Sequence, residues 1–156
     1  MTDPIRPTDD GARRQAARLL SQARHAVLGV RGDGPPGLSR VAVLPVGADL
    51  LLLVSELSRH TRALDADPDC ALLIGEPGTG DPLAAARLSL ELRAEAADKA
   101  AHREAWLAWH PGAALYYDFA DFRLLRLVMR SGFLVGGFGR AFALSRADLE
   151  NCRPTA

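Results

Sequence analysis

Apolar residues change their spacing along the chain, and the change separates the predicted helices from the predicted strands. From residue 8 to 24, alanines and leucines recur three and four positions apart, which predicts an amphipathic helix capped by Thr8, Asp9 or Asp10. Beyond residue 24 the apolar residues become contiguous or alternate with polar ones, as is typical of strands. The predicted strands span residues 25–31, 38–46, 49–54, 70–74, 84–96, 122–130 and 133–135.

Shorter helices interrupt these strands one at a time. We expect them at residues 58–67, with Ser58 as N-cap and Pro68 as the stop, at residues 98–109, and from Ser145 onwards. Since the strands do not alternate regularly with helices, the pattern favours a mainly β fold, an antiparallel β-barrel with peripheral helices. No repeat or linker divides the chain, so we interpret residues 1–156 as one domain, with residues 1–8 as a flexible tail.

The composition argues against several classes of function. The chain has 156 residues, 48% of them hydrophobic, and its 19 basic and 19 acidic side chains cancel. This predicts a globular protein and argues against nucleic acid or an anionic membrane as the main partner. With no run of about 18 apolar residues and no secretory leader pattern, we expect no membrane span and a cytoplasmic location. Cys70 and Cys152 lie far apart without metal-ligand spacing, so no metal site or disulfide is indicated.

A G-x-G-x-x-G pattern at residues 32–37 is interpreted as a hairpin loop. A dinucleotide-binding fingerprint opens a helix, whereas here Pro35 and Pro36 intervene and the next segment has the pattern of a strand. The pattern is therefore not taken as a nucleotide site.

A group of hydroxyl, imidazole and guanidinium side chains lies where a predicted strand meets a predicted helix. Such groups, together with free backbone N–H groups, suit a phosphate, and the alternative is a solvated helix start. Arginines inside two further strands either reach solvent or are brought by the barrel to the same phosphate. The candidate residues are Ser55, Ser58, Arg59, His60, Thr61 and Arg62 in the turn, with Arg40 and Arg87 in the strands.

Two further features carry no assigned chemistry. The glycines at 136, 137 and 139 permit either close approach of a ligand or a bulged corner of the barrel. Asp121 stands among aromatic residues, where it either orients another group or lies at the edge of the core. No arrangement of nucleophile and base is recognisable from spacing, so the catalytic residues are unknown.

Several strings, in their order and spacing, resemble the pyridoxamine 5′-phosphate oxidase-like family and, within it, the haem-utilisation (HugZ-like) branch. The similarity extends over roughly residues 16–149. The strings are Ser-Arg-His-Thr-Arg-Ala-Leu at 58–64, Asp-Pro at 67–68, Ala-Leu-Leu-Ile at 71–74, Gly-Asp-Pro-Leu-Ala at 80–84, Arg-Leu at 87–88, Asp-Phe-Arg-Leu at 121–124 and Val-Gly-Gly-Phe-Gly-Arg-Ala at 135–141.

The resemblance implies a six-stranded Greek-key split barrel that binds FMN in a groove between the two subunits of a homodimer. The family's phosphate-binding positions fall on Arg40, Arg59 and His60, and Arg87 falls where the oxidases have a glutamine near the cofactor. By the same resemblance, Ser55, Ser58, Thr61 and Arg62 share the phosphate-binding loop.

Three hypotheses follow for the function. The first is an FMN-dependent oxidoreductase acting on an unidentified small molecule, since flavin itself supplies the redox chemistry. The second is a haem-binding or haem-degrading protein, with a Soret band that depends on His25, His60 or His110. In haem-handling relatives the iron-ligating histidine lies on a C-terminal tail or an added domain, whereas no histidine follows His110 here. The third is an interaction module that keeps the barrel without a cofactor.

Overall fold

Eight strands and four α-helices occur in residues 5–151, the part of the chain that the computed structural model describes. The strands are Ile5–Arg6 (β1), His25–Val30 (β2), Gly37–Val46 (β3), Asp49–Ser55 (β4), Asp69–Ile74 (β5), Arg87–Ala96 (β6), Phe122–Val135 (β7) and Ala141–Ser145 (β8). The helices are Asp10–Ser21 (α1), Arg59–Ala66 (α2), Arg103–Trp109 (α3) and Arg146–Glu150 (α4), and Pro111–Leu115 forms a 3₁₀ turn.

Six antiparallel strands close into a barrel. The sheet has the order β1-β8-β7-β4-β3-β2-β5-β6, and β6 pairs back onto β7, so that β2 to β7 form a ring. Strand β8 extends the sheet from β7, and β1 pairs with β8 in parallel. The predicted mainly β barrel with peripheral helices is therefore confirmed.

Strict alternation of side chains places one core inside the barrel. In β6, Leu88, Leu90 and Leu92 are buried while Ser89 and Glu91 are exposed, as a strand with one face towards the core requires. Leucines, valines and alanines of the other barrel strands complete this core, and Leu64 of α2 joins it. Helix α2 consequently packs against the barrel through its apolar side.

A second, smaller apolar cluster lies around Trp106. Trp106 comes from α3, Ala113 from the 3₁₀ turn and Tyr117 from the residues just after that turn. They pack with Leu51 of β4 and Leu124 of β7. Trp106 is 1% exposed, and its indole N–H has no acceptor among the described residues. Apolar contacts thus hold the segment between β6 and β7, which contains α3 and the 3₁₀ turn, against the barrel.

The largest differences between the strand and helix bounds and the sequence prediction occur in four places. Residues 122–135 form one strand, not two, and Ala141–Ser145 is a strand that the pattern did not predict. Ile5 and Arg6, predicted to lie in the flexible tail, pair with Ala141 and Phe142. The helix predicted from residue 98 begins at Arg103. Residues 1–4 of that tail, and Cys152, lie outside the described residues.

Within residues 5–151, none of the helices combines the length and the apolar character of a membrane span.

Candidate functional site

A cleft of about 650 Å³ lies between the β2–β3 connection and α2. Residues 31–36, which hold the first five positions of the Gly-x-Gly-x-x-Gly pattern, form one wall as the predicted hairpin loop. Arg59, His60, Arg62 and Ala63 of α2 form the other, and Ser39 of β3 lies between them. Ligand pockets commonly have volumes of about 300–1,000 Å³, so the cleft is large enough for a cofactor-sized molecule.

Two arginines give this cleft free positive charge. Arg59 and Arg62 are exposed, and neither has a carboxylate partner among residues 5–151. Arg31 also lines the cleft, but its Nε lies 2.8 Å from Asp67 and its Nη2 lies 3.1 Å from Asp69. Asp33 brings a carboxylate to the wall. The cations available to an anionic ligand are therefore Arg59 and Arg62.

The rim of the cleft is apolar. Pro35 and Pro36 are exposed on the β2–β3 loop and give it an apolar surface. Ala63 and Ala66 line the opposite wall. A ligand that combines an apolar body with an anionic group matches this lining.

Two of the hydroxyl groups predicted to contact phosphate, those of Ser55 and Thr61, make hydrogen bonds within the turn before α2. Thr61 is buried, and its Oγ1 donates to the carbonyl oxygen of Ser55 at 2.6 Å. Ser55 Oγ donates to Asp121 Oδ2 at 3.1 Å and accepts from the backbone N–H of Leu57 at 3.2 Å. Ser58 occupies the N-cap position as predicted, but its side chain makes no capping hydrogen bond.

His60 is half-buried in the cleft wall. Its Nδ1 lies 3.2 Å from Ser39 Oγ, and burial lowers the pKa of the imidazole below its usual value. The ring is thus a neutral group at neutral pH, and it does not add to the charge of the arginines beside it.

The two strand arginines do not join this cleft within one chain. Arg40 is exposed on the outer face of the barrel, because its neighbour Ser39 faces His60 and side chains alternate along a strand. Arg87 begins β6, and its guanidinium donates to the carbonyl oxygens of Leu83 at 3.0 Å and Ala85 at 3.2 Å. On β5, Cys70 pairs with Val30 at the cleft end of β2, whereas Ile74 pairs with Leu88, the neighbour of Arg87. Since Ile74 lies four residues further along β5 than Cys70, the start of β6 is roughly 13 Å from that end of β2.

Asp121 and the glycines at 136, 137 and 139 contribute to turns of the backbone. Asp121 holds Ser55, as described, and its carbonyl oxygen accepts from the backbone N–H of Glu56 at 2.8 Å. Gly137 and Gly139 have φ values of 134° and 68°, a region that favours glycine, in the connection between β7 and β8. Neither feature lines the cleft.

A buried ion network was missed by the sequence analysis. Asp49 is 2% exposed, and its carboxylate accepts from Arg126 Nε at 2.8 Å, from the backbone N–H of Met129 at 2.9 Å and from Arg146. Burial acts to raise the pKa of Asp49, but the hydrogen bonds from Arg146, Met129 and Arg126 outweigh it and hold the pKa below its usual value. The signal in the sequence was an acid directly before four leucines.

This network also explains why a second cleft is less suited to an anion. It has a volume of about 710 Å³ and lies between α1, α4 and the β3–β4 turn. Its arginines are Arg126 and Arg146, which are already bound to Asp49, and Glu150 pairs with Arg146 at 2.6 Å. The positive charge there is neutralised internally.

Curated relatives of the chain are haem oxygenases. No family model matches the chain. The chloroplastic heme oxygenase HOZ of Arabidopsis thaliana is 38% identical over 97 residues, which is 59% of this chain and 29% of HOZ. The heme oxygenase HutZ of Vibrio cholerae is 27% identical over 128 residues, 77% of this chain and 73% of HutZ. The chain thus spans less than a third of one relative and about three quarters of the other.

Solved structures share the fold. A heme binding protein from Mycobacterium smegmatis superposes with a TM-score of 0.83 at 30% identity, covering 94% of this chain and 62% of that one. A structure described as a putative pyridoxamine 5′-phosphate oxidase from Listeria innocua has a TM-score of 0.65 at 17% identity, covering 80% of this chain and 98% of that one. The second likeness shows the split-barrel fold alone.

Proposed function

We propose that this chain, which has the split-barrel fold of pyridoxamine 5′-phosphate oxidase-like proteins and is similar to haem-utilisation proteins, binds haem as the substrate of a haem-degrading reaction. The observation that carries the proposal is the cleft at α2, which combines an apolar rim with two arginines that lack carboxylate partners among the described residues. Haem is a flat apolar ring with two carboxylates, and the lining suits both parts. HOZ and HutZ, which are named as heme oxygenases, support the same choice.

The chain's own residues have separate tasks in this proposal. Arg59 and Arg62 bind the two carboxylates through charge-assisted hydrogen bonds. Pro35 and Pro36 on one wall and Ala63 and Ala66 on the other cover apolar ring surface and exclude water from it. When bound, haem supplies the iron at which oxygen chemistry is carried out in haem oxygenases.

Titration of the purified chain with hemin, followed at the Soret band, tests the proposal. We expect saturation at one haem per chain and retention of the haem through gel filtration. A linear, unsaturable increase in absorbance, with the haem lost on the column, would contradict it. A parallel titration with FMN, followed by quenching of flavin fluorescence, separates haem from flavin.

Removing both cleft arginines is expected to weaken haem binding at least tenfold. Each charge-assisted hydrogen bond contributes about 1.5–3 kcal/mol, and a tenfold change corresponds to about 1.4 kcal/mol. The measurement is the haem Kd of the double variant Arg59→Ala, Arg62→Ala. Arg14→Ala, Arg18→Ala is the matched control, because it removes two exposed arginines from α1. Equal Kd values for the two double variants would place the haem elsewhere.

FMN is the second candidate, because the same two arginines also suit a phosphate. Its support among known proteins is at the level of the fold, whereas the named relatives favour haem. Tight FMN binding that is lost in the double cleft variant, with unsaturable haem binding, would replace our proposal with this one. Failure to bind either molecule would favour the interaction module.

We also propose that the chain forms a homodimer through the outer face of β3, β2 and β5. Register places Leu38, Gly29 and Ala71 in one row and Arg40, Val27 and Leu73 in the next, on the same face. Leu38 and Leu73 are exposed there, and a sheet face with exposed leucines is typical of an interface.

Light scattering after gel filtration measures the mass that this second proposal predicts. We expect twice the chain mass for the wild type and a shift to the chain mass for Leu73→Glu, since a buried carboxylate without a partner opposes association. The matched variant Leu83→Glu alters an exposed leucine outside the ladder and should remain dimeric. A wild type with the mass of one chain would rule out the dimer.

A further inference from the structure

We infer that His60 Nε2 is the axial ligand that this chain offers to haem iron, an inference that rests on the proposed haem binding. The residue lies in the wall of the cleft, between the two arginines along α2. One helical turn would therefore supply the ligand for the metal and the cations for the carboxylates.

The hydrogen bond at the other ring nitrogen prepares His60 for this role. Its Nδ1 lies 3.2 Å from Ser39 Oγ, and in the tautomer that donates from Nδ1 the lone pair of Nε2 is free. Nε2 has no hydrogen-bond partner among residues 5–151. Histidines that bind metals almost always donate their second ring N–H to an oxygen, which fixes the ring and the tautomer. Ser39 supplies such an oxygen from the neighbouring strand.

The chain's other histidines are less suited. The sequence has four. His110 Nε2 lies 2.8 Å from the carbonyl oxygen of Val43, and its ring lies 5.0 Å from that of Trp106. His25 is more than half exposed, 3.3 Å from Glu76, at the end of β2 away from the cleft. His102 precedes α3 and does not line the cleft.

The test compares the haem complexes of wild type, His60→Ala and His25→Ala by Soret absorption and resonance Raman spectroscopy. We expect His60→Ala to shift the Soret band, to lose the Fe–His stretching mode of the ferrous complex and to regain the wild-type spectrum on addition of imidazole. His25→Ala should retain the wild-type spectrum. A wild-type spectrum for His60→Ala would overturn the inference.

A milder variant keeps the test decisive if His60→Ala does not fold. Ser39→Ala leaves the imidazole in place but removes the oxygen that faces Nδ1, so we expect the Fe–His mode to move to lower frequency. An unchanged mode in Ser39→Ala would count against the assigned geometry.

The two proposals fail in different ways. If the wild type binds no haem, the proposed function is wrong and this inference is wrong with it. If the wild type binds haem and His60→Ala retains its spectrum, only the assignment of His60 is wrong.

Discussion

Asp49→Asn is expected to lower the free energy of unfolding by about 3 kcal/mol. Removing one partner of a buried ion pair commonly costs about 3–5 kcal/mol, because the remaining charge is left without compensation. The lower end applies because the side chains of Arg126 and Arg146 are 40% and 36% exposed and can still reach water. Urea unfolding at neutral pH measures the difference.

Asp65→Asn is the control for this prediction. Asp65 pairs with Arg123 at 2.9 Å, but its side chain is largely exposed, and exposed pairs contribute about 0–1 kcal/mol. If the two variants lose the same stability, the buried network does not have the role that its burial indicates.

The stability difference between wild type and Asp49→Asn should also depend on pH. The native pKa of Asp49 lies below its usual value, so its contribution is present above the unfolded pKa of about 3.9 and is lost as pH falls through the native pKa. We expect a constant difference at neutral pH that shrinks below about pH 4. A difference that grows in acid would contradict this assignment.

Trp106→Ala is expected to cost about 3–5 kcal/mol of unfolding free energy, the range for truncating a buried aromatic residue. Trp106 fills the centre of the cluster that joins α3 and the 3₁₀ turn to β4 and β7. We therefore expect the segment between β6 and β7 to become sensitive to limited proteolysis before the barrel unfolds. Urea unfolding and mapping of the cleavage sites provide the two measurements.

Trp106→Phe separates packing from hydrogen bonding at the same position. The indole N–H has no acceptor among the described residues, so phenylalanine removes volume but no hydrogen bond. We expect less than half of the loss seen with alanine. Equal losses in the two variants would show that the ring's packing is not what holds the segment.

Local spacing was enough to predict most of the barrel. The long runs and alternations of β2 to β6 have a period of two or are continuous, and their bounds agree within three residues. Strand β7 was predicted as two strands because polar Arg130 and Ser131 precede Gly132. In the structure Gly132 pairs with both Leu90 and Leu144, and a Cβ at this position would lie 3.2 Å from Leu90 Cδ2. Here glycine continues the strand by allowing a neighbour to approach closely.

The candidate site was predictable only where its residues are close in sequence. Arg59, His60 and Arg62 share one helical turn, so their joint lining of the cleft follows from local structure. Whether Arg40 and Arg87 join them depends on the pairing register of the strands and on the face of the sheet that each side chain occupies. The spacing of residues in the sequence does not determine either. Ser39 was missed for the same reason, since its contact with His60 spans 21 positions.

The connectivity of β7 determines how this protein must fold. This strand pairs with β4, β6 and β8, and its pairing of Leu127 with Leu50 closes a long stretch of chain. Because such distant contacts form only after a large loss of chain entropy, we expect refolding in milliseconds to seconds, slower than for helical proteins of this size. During synthesis the ring stays open until β7, which ends at residue 135, has left the ribosome. Until then the sheet formed by β2 to β6 has unpaired edges at β4 and β6.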